Sequence, residues 1–159
     1  METQNNHPLH VLDIAQYLIK HQNKNDYTNM KLQKLVFLAY SKYCIDNEKN
    51  SLFFNDFQAW AHGPVSLELY RHTMKYDQPF PKDFQLTDQN PDLLLDEKQK
   101  ETLQYILKKY GRKTTAKLVE ITHQNGSPWD LSYFSVDWDL NRISNETIVL
   151  SYANLKKPL

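Results

Sequence analysis

The chain has one cysteine, three glycines and no net charge, and each shortage removes a class of function. A single thiol, Cys44, forms no internal disulfide and builds no cysteine-rich zinc site, which suits a reducing compartment. Gly63, Gly111 and Gly126 are too few for a glycine-rich phosphate loop or a turn-dense β-sandwich, so each is expected to mark a particular corner. Nineteen basic residues against nineteen acidic ones create no global field toward nucleic acid or an anionic membrane. No apolar run reaches the roughly 18 residues of a membrane span, and METQNNHPLH lacks a secretory leader's apolar stretch. A soluble, cytoplasmic protein without membrane contacts is expected.

What the chain does have is aromatic surface: ten tyrosines, seven phenylalanines and three tryptophans in 159 residues. With no repeat, linker or low-complexity tract, residues 1–159 read as one domain with its core in 9–152. Val11, Leu12, Ala15, Leu18 and Ile19 recur at helical spacing after Pro8. Thr28 can cap a second helix over 29–46 that is apolar almost all round and therefore central. Asp96 with Gln99 forms an acidic capping box for a helix that Gly111 closes, Thr114 or Thr115 starts another, and Ile143–Ser144 reads as staple and cap for the last. The fold class is mainly α: about six helices around the buried 29–46 helix, with a short β hairpin or extended corner near 52–62. Asn55–Asp56 is the expected turn of that hairpin, Ser66 caps a helix reaching about Tyr76, and residues 77–95 read as a loop with a short strand at Phe84–Leu86.

Catalytic and metal chemistry find little support. Cys44 sits in the most hydrophobic helix without a nearby cation, as a packing residue does. His62 and His123 each lie near a tryptophan and would build a small hydrolase site if they met, but no nucleophile accompanies them. Neither shows metal-ligand spacing, and neither metal nor cofactor is expected. Asp137 and Asp139, with Asp130 and Glu146, read as a solvated acidic face. The electrostatic alternative is Lys108, Lys109, Arg112, Lys113 and Lys117, five cations without an intervening acid. They would suit a DNA-binding autorepressor, although Lys108 and Lys109 also fit the negative end of a helix dipole and no aromatic platform interleaves the cluster. Aromatics in irregular segments, among them Phe53, Phe54, Phe57, Trp60 and Trp129, fit a protein-binding module better than an active site.

Four blocks go further: MKLQKLVFLAY (30–40), FQAWAHGPVSLELY (57–70), KKYGRKTTAKLVEITHQNGSPW (108–129) and ISNETI (143–148). In this order they resemble the Panacea domain of SocA-like and GepA-like phage-associated antitoxins, over about residues 9–152. The resemblance assigns Leu32, Gln33, Lys34 and Leu35 to a helix motif, Trp60, Gly63, Pro64, Val65 and Tyr70 to a corner, and Thr122, His123, Pro128 and Trp129 to a late motif, all as scaffold. His62 stands where the family often has tyrosine. The resemblance implies a mostly helical antitoxin that binds a neighbour-encoded protein toxin and catalyses nothing; SocA-like members also resemble adaptors that deliver the toxin to the ClpXP protease. Contact is expected outside the motifs, from Phe80 and Phe84 in the 77–95 loop and from Tyr133, Phe134 and Trp138.

Overall fold

The computed structural model describes residues 8–134, 141–155 and 159. The element order is α1 (Val11–Lys20), α2 (Asn29–Asp46), β1 (Phe57–Trp60), β2 (Gly63–Ser66), α3 (Leu67–Thr73), α4 (Pro91–Leu94), α5 (Glu97–Tyr110), α6 (Thr115–Thr122), α7 (Pro128–Tyr133) and α8 (Asn145–Asn154). The protein is mainly α, with the two strands pairing antiparallel as a small hairpin. Eight helices stand among the described residues where about six were expected. The additional ones, α4 and α7, are only four and six residues long with proline at the start, too brief to show helical periodicity in sequence.

Helix α2 is the central element. Leu32, Leu35, Val36, Phe37, Leu38, Ala39, Tyr40 and Cys44 are fully buried on it, and it packs against α1, α3, α5, α6, α8 and β2. Each large apolar side chain removed from water contributes roughly 1.5–3 kcal/mol, so this helix carries much of the core. An aromatic cluster extends it, with Tyr40 4.9 Å from Phe53 and Phe37 5.1 Å from Phe57 between ring centroids.

Side-chain caps set the helix starts. Thr28 accepts from Lys31 N on α2, Ser66 from Leu69 N on α3, Thr114 from Lys117 N on α6, and Asp96 and Gln99 form the reciprocal box on α5. Helix α1 begins at Val11, capped by His10 with Asp13 closing the box, rather than by Pro8. Ile143 and Ile148 are both buried at the start of α8, in staple geometry.

The hairpin differs from expectation in register. It runs 57–66 and turns at Ala61–His62, because Gly63 takes φ +118°, which few other residues tolerate. Asn55 and Asp56 are spent on caps instead: Asn55 Oδ1 accepts from Phe57 N at 2.9 Å, and Asp56 Oδ2 accepts from Glu68 N at 2.7 Å. Helix α3 ends at Thr73, short of Tyr76. Phe84–Leu86 forms no strand; Gln16 holds it by donating to Phe84 O and accepting from Leu86 N.

Candidate functional site

The three long motif blocks meet at one corner, where α2 supports the hairpin and α6–α7 close over it. Leu32 and Leu35 are buried in the core. Gln33 completes β2 as a strand would: its Nε2 donates to Ser66 O at 3.1 Å and its Oε1 accepts from Ser66 N at 2.9 Å. Lys34 lies along Gly63, where a Cβ would come within 2.5 Å of its Cε. Its ammonium donates to Pro64 O at 3.4 Å, and the residue is 1% exposed. Burial without a carboxylate pushes the amine down to about 8. Its neighbour Lys31, equally buried, is paired with Asp26 at 2.7 Å. Val65 is buried as well.

The late motif grips the hairpin turn. Trp129 Nε1 donates to Trp60 O at 2.6 Å. His123 Nδ1 lies 2.7 Å from Val119 O, the contact its ring N–H satisfies, and Nε2 is 3.3 Å from Ala61 O. The imidazole meets the Trp129 indole edge-on at 3.9 Å. Thr122, buried, donates to Leu118 O at 2.9 Å, and Pro128 opens α7 behind Ser127, its cap. Trp60 gives its own indole N–H to Gln58 at 3.1 Å and meets the Tyr70 ring at 5.0 Å.

Stacking continues outward from this corner. Tyr133 lies parallel to Trp129 at 4.6 Å, and Phe134, 71% exposed, packs edge-on against Tyr133 at 5.0 Å. Trp138, Asp137 and Asp139 lie outside the described residues. Phe80 serves the core instead of a surface: it is 1% exposed, stacked on Tyr76 at 4.7 Å and edge-on to the half-buried Phe84 at 4.9 Å.

Among the described residues the corner assembles no nucleophile with a base. His62 is exposed, and no serine, threonine or cysteine is hydrogen-bonded to a histidine ring among the described residues. Burial pushes the Cys44 thiol up to about 11, against the opposing Tyr40 hydrogen bond. Among the described residues, no group of three or more His, Cys, Asp or Glu is placed to hold a metal, and no helix is long and apolar enough to cross a membrane.

The basic run is largely spent internally. Arg112 donates to Asn23 O at 3.0 Å, Lys117 pairs with Glu120 at 3.3 Å, and Lys109 reaches Tyr105 Oη at 3.1 Å. Lys108 is exposed and Lys113 half-buried.

One residue central to the fold carries no local signal in the sequence. Asn145 accepts from Tyr40 Oη at 2.6 Å and from Asn55 Nδ2 at 3.0 Å, and donates to Lys49 O and Ser51 Oγ. This gives the ISNETI block its role: it ties α8 to α2 and to the loop before the hairpin.

The family model described as "Antitoxin SocA-like, Panacea domain" matches residues 32–130, the span from the α2 motif to the start of α7. Antitoxin SocA of Caulobacter vibrioides (strain NA1000 / CB15N) is 28% identical over 114 residues, covering 65% of this chain and 58% of that protein. The chain thus spans less than two thirds of that relative's length. No solved structure matches significantly.

Proposed function

Since the chain belongs to the SocA-like Panacea-domain antitoxin family, we propose that it neutralises a protein toxin encoded beside it by binding that toxin directly, with no reaction of its own. The observation that carries this reading is the division of labour at the corner. Polar groups of the motif residues are spent inside the molecule: Gln33 on Ser66, Trp129 on Trp60, His123 on Val119. Aromatic surface is left facing outward at Phe134. A fixed scaffold with aromatic anchors on short, variable connections is how one domain meets a protein partner, since tyrosine, tryptophan and their like concentrate binding energy.

Leu32, Gln33, Lys34, Leu35, Gly63, Pro64 and Val65 hold the corner in this reading, and Trp60, Tyr70, Trp129, Tyr133 and Phe134 form or back the contact surface. The test is co-expression with the product of the adjacent gene. Growth rescue together with co-purification of the pair supports the reading, and failure of both removes it. Rescue that persists in a strain lacking ClpX supports direct blocking; rescue that disappears there favours delivery to ClpXP.

A further inference from the structure

The basic run is the motif that toxin binding leaves unused, and the fold adds a cation to it. The loop before α2 packs against the C-terminal end of α5: Asn23 Nδ2 donates to Leu107 O at 2.9 Å, Arg112 donates to Asn23 O at 3.0 Å, and Lys24 donates to Arg112 O at 3.3 Å. Lys24, 88 residues from Arg112 in sequence, thereby joins the run. These contacts fix the cations in place without cancelling their charge. Lys24 and Arg112 sit on neutral backbone carbonyls, and Lys109 reaches the Tyr105 hydroxyl at 3.1 Å with its ammonium over the Tyr110 ring. Lys24, Lys108, Lys109, Arg112 and Lys117 are exposed and Lys113 is half-buried.

The charge balance of this face is one-sided. Segments 23–26 and 104–120 carry six cations against two acids, Asp26 and Glu120. Asp26 pairs with Lys24 at 3.7 Å but is held closer, at 2.7 Å, by the buried Lys31, and Glu120 pairs with Lys117 at 3.3 Å. Lys108, Arg112 and Lys113 form no ion pair among the described residues. Of the bordering acids, Asp92 is engaged by Lys20 at 2.6 Å and His21 at 2.9 Å, and Glu101 stands about 10 Å before Lys108 along α5. What the face lacks narrows its partner. None of the exposed large apolar side chains among the described residues falls in 23–26 or 104–120. A protein hot spot would have no anchor there, a bilayer no apolar wedge, and single-stranded bases no stacking platform. Cations without apolar contact suit duplex DNA, whose backbone presents a charge about every 1.7 Å of axis. Double-stranded RNA is gripped over about 16 base pairs, whereas α5, with 14 residues, is about 21 Å long.

We propose that Lys24, Lys108, Lys109, Arg112 and Lys113 form a second binding face, which holds the phosphate backbone of double-stranded DNA without reading its sequence. The face is separate from the Trp60–Trp129 corner: Lys117 lies in the first turn of α6 and His123 caps the other end of that helix. DNA binding therefore stands or falls independently of the toxin-binding reading. Its energy comes from counterion release, so it is weak and steeply dependent on salt.

The experiment titrates a labelled DNA duplex of about 30 base pairs and arbitrary sequence with the chain alone, read by fluorescence anisotropy. Circular dichroism checks that each variant is folded. The wild type is expected to bind with a Kd of about 10 μM at about 50 mM salt, and log K to fall against log salt with a slope of about −4. Lys108→Glu/Lys113→Glu is expected to weaken binding about 10-fold or more and to reduce the slope by about 2. Lys24→Gln, far from the run in sequence, is expected to weaken it about 3-fold and to reduce the slope by about 1. Lys49→Glu/Lys98→Glu makes the same change in net charge away from the face and is expected to leave Kd within about twofold, because salt screens distant charges. A wild type that does not bind at about 100 μM overturns the proposal, as does binding insensitive to salt. Equal losses in the face and control variants overturn it in favour of net charge alone. Tighter binding to a single strand, an RNA duplex, an acidic peptide or phosphatidylglycerol vesicles overturns it in favour of that partner.

Discussion

The indole N–H of Trp129 donates to the backbone carbonyl of Trp60 at 2.6 Å across 69 residues of sequence, and this bond joins the late motif to the hairpin. Trp129→Phe keeps most of the ring and leaves the Trp60 carbonyl without that donor, at an expected cost of about 1–2 kcal/mol. Trp129→Ala also empties the stack against His123 and Tyr133, for about 3–5 kcal/mol. Urea unfolding of both variants checks the order; a Trp129→Phe variant as stable as the wild type would mean the hydrogen bond contributes nothing, and equal costs would mean the ring stack adds nothing to it.

Lys34 gives the fold a pH signature. Its folded-state value of about 8 lies below the ordinary lysine range, so between those two values the unfolded chain holds a proton that the native chain has released. Stability from this group therefore rises with pH through that window, and the penalty of the buried charge is fully present below about 8. Lys34→Met is expected to be more stable than the wild type by about 3 kcal/mol at pH 7, with the difference closing toward pH 10. A difference that does not change with pH would show that Lys34 is not a costly buried charge.

Gly63 is tested by substitution. Gly63→Ala places a Cβ at φ +118° and against the Lys34 side chain, so a loss of about 2–4 kcal/mol is expected. In a double-mutant cycle with Lys34→Ala, part of that loss is expected to vanish because the clash is relieved while the backbone strain remains. Strict additivity in chemical denaturation would contradict the contact.

Gln33→Leu removes both hydrogen bonds to Ser66, leaving a buried backbone N–H and carbonyl unsatisfied. The expected cost is about 2–4 kcal/mol, with faster amide exchange at Ser66 and Val65. Unchanged exchange there would show that the hairpin does not depend on α2.

Cys44 is fully buried with its thiol pushed up. Native protein at neutral pH is expected to resist iodoacetamide and to be labelled once urea unfolds it. Mass spectrometry reads the adduct, and rapid labelling of the native chain would contradict the packing of α2.

Periodicity and caps made the large helices legible: the all-round apolar α2, the Asp96–Gln99 box of α5 and the Ile143–Ile148 staple all have local signatures. The corner was legible as a set of residues but not as a mechanism. Gln33, Lys34 and Asn145 act through partners 30 or more residues away, and nothing in their neighbours indicates it. Lysine reads as surface by type, so the burial of Lys31 and Lys34 was hidden. Phe80 read as an exposed loop aromatic because the loop's polar composition masks the Tyr76–Phe80–Phe84 stack that anchors it. The hairpin was displaced because Asn55–Asp56 has turn chemistry, whereas the turn is set by the left-handed Gly63.

Direct neutralisation is separable from delivery to a protease with purified components: toxin activity titrated with this chain, with no protease or other cell factor present. Activity is expected to fall in proportion to added chain and to reach zero at a fixed stoichiometry. Toxin that stays fully active at saturating chain would contradict it.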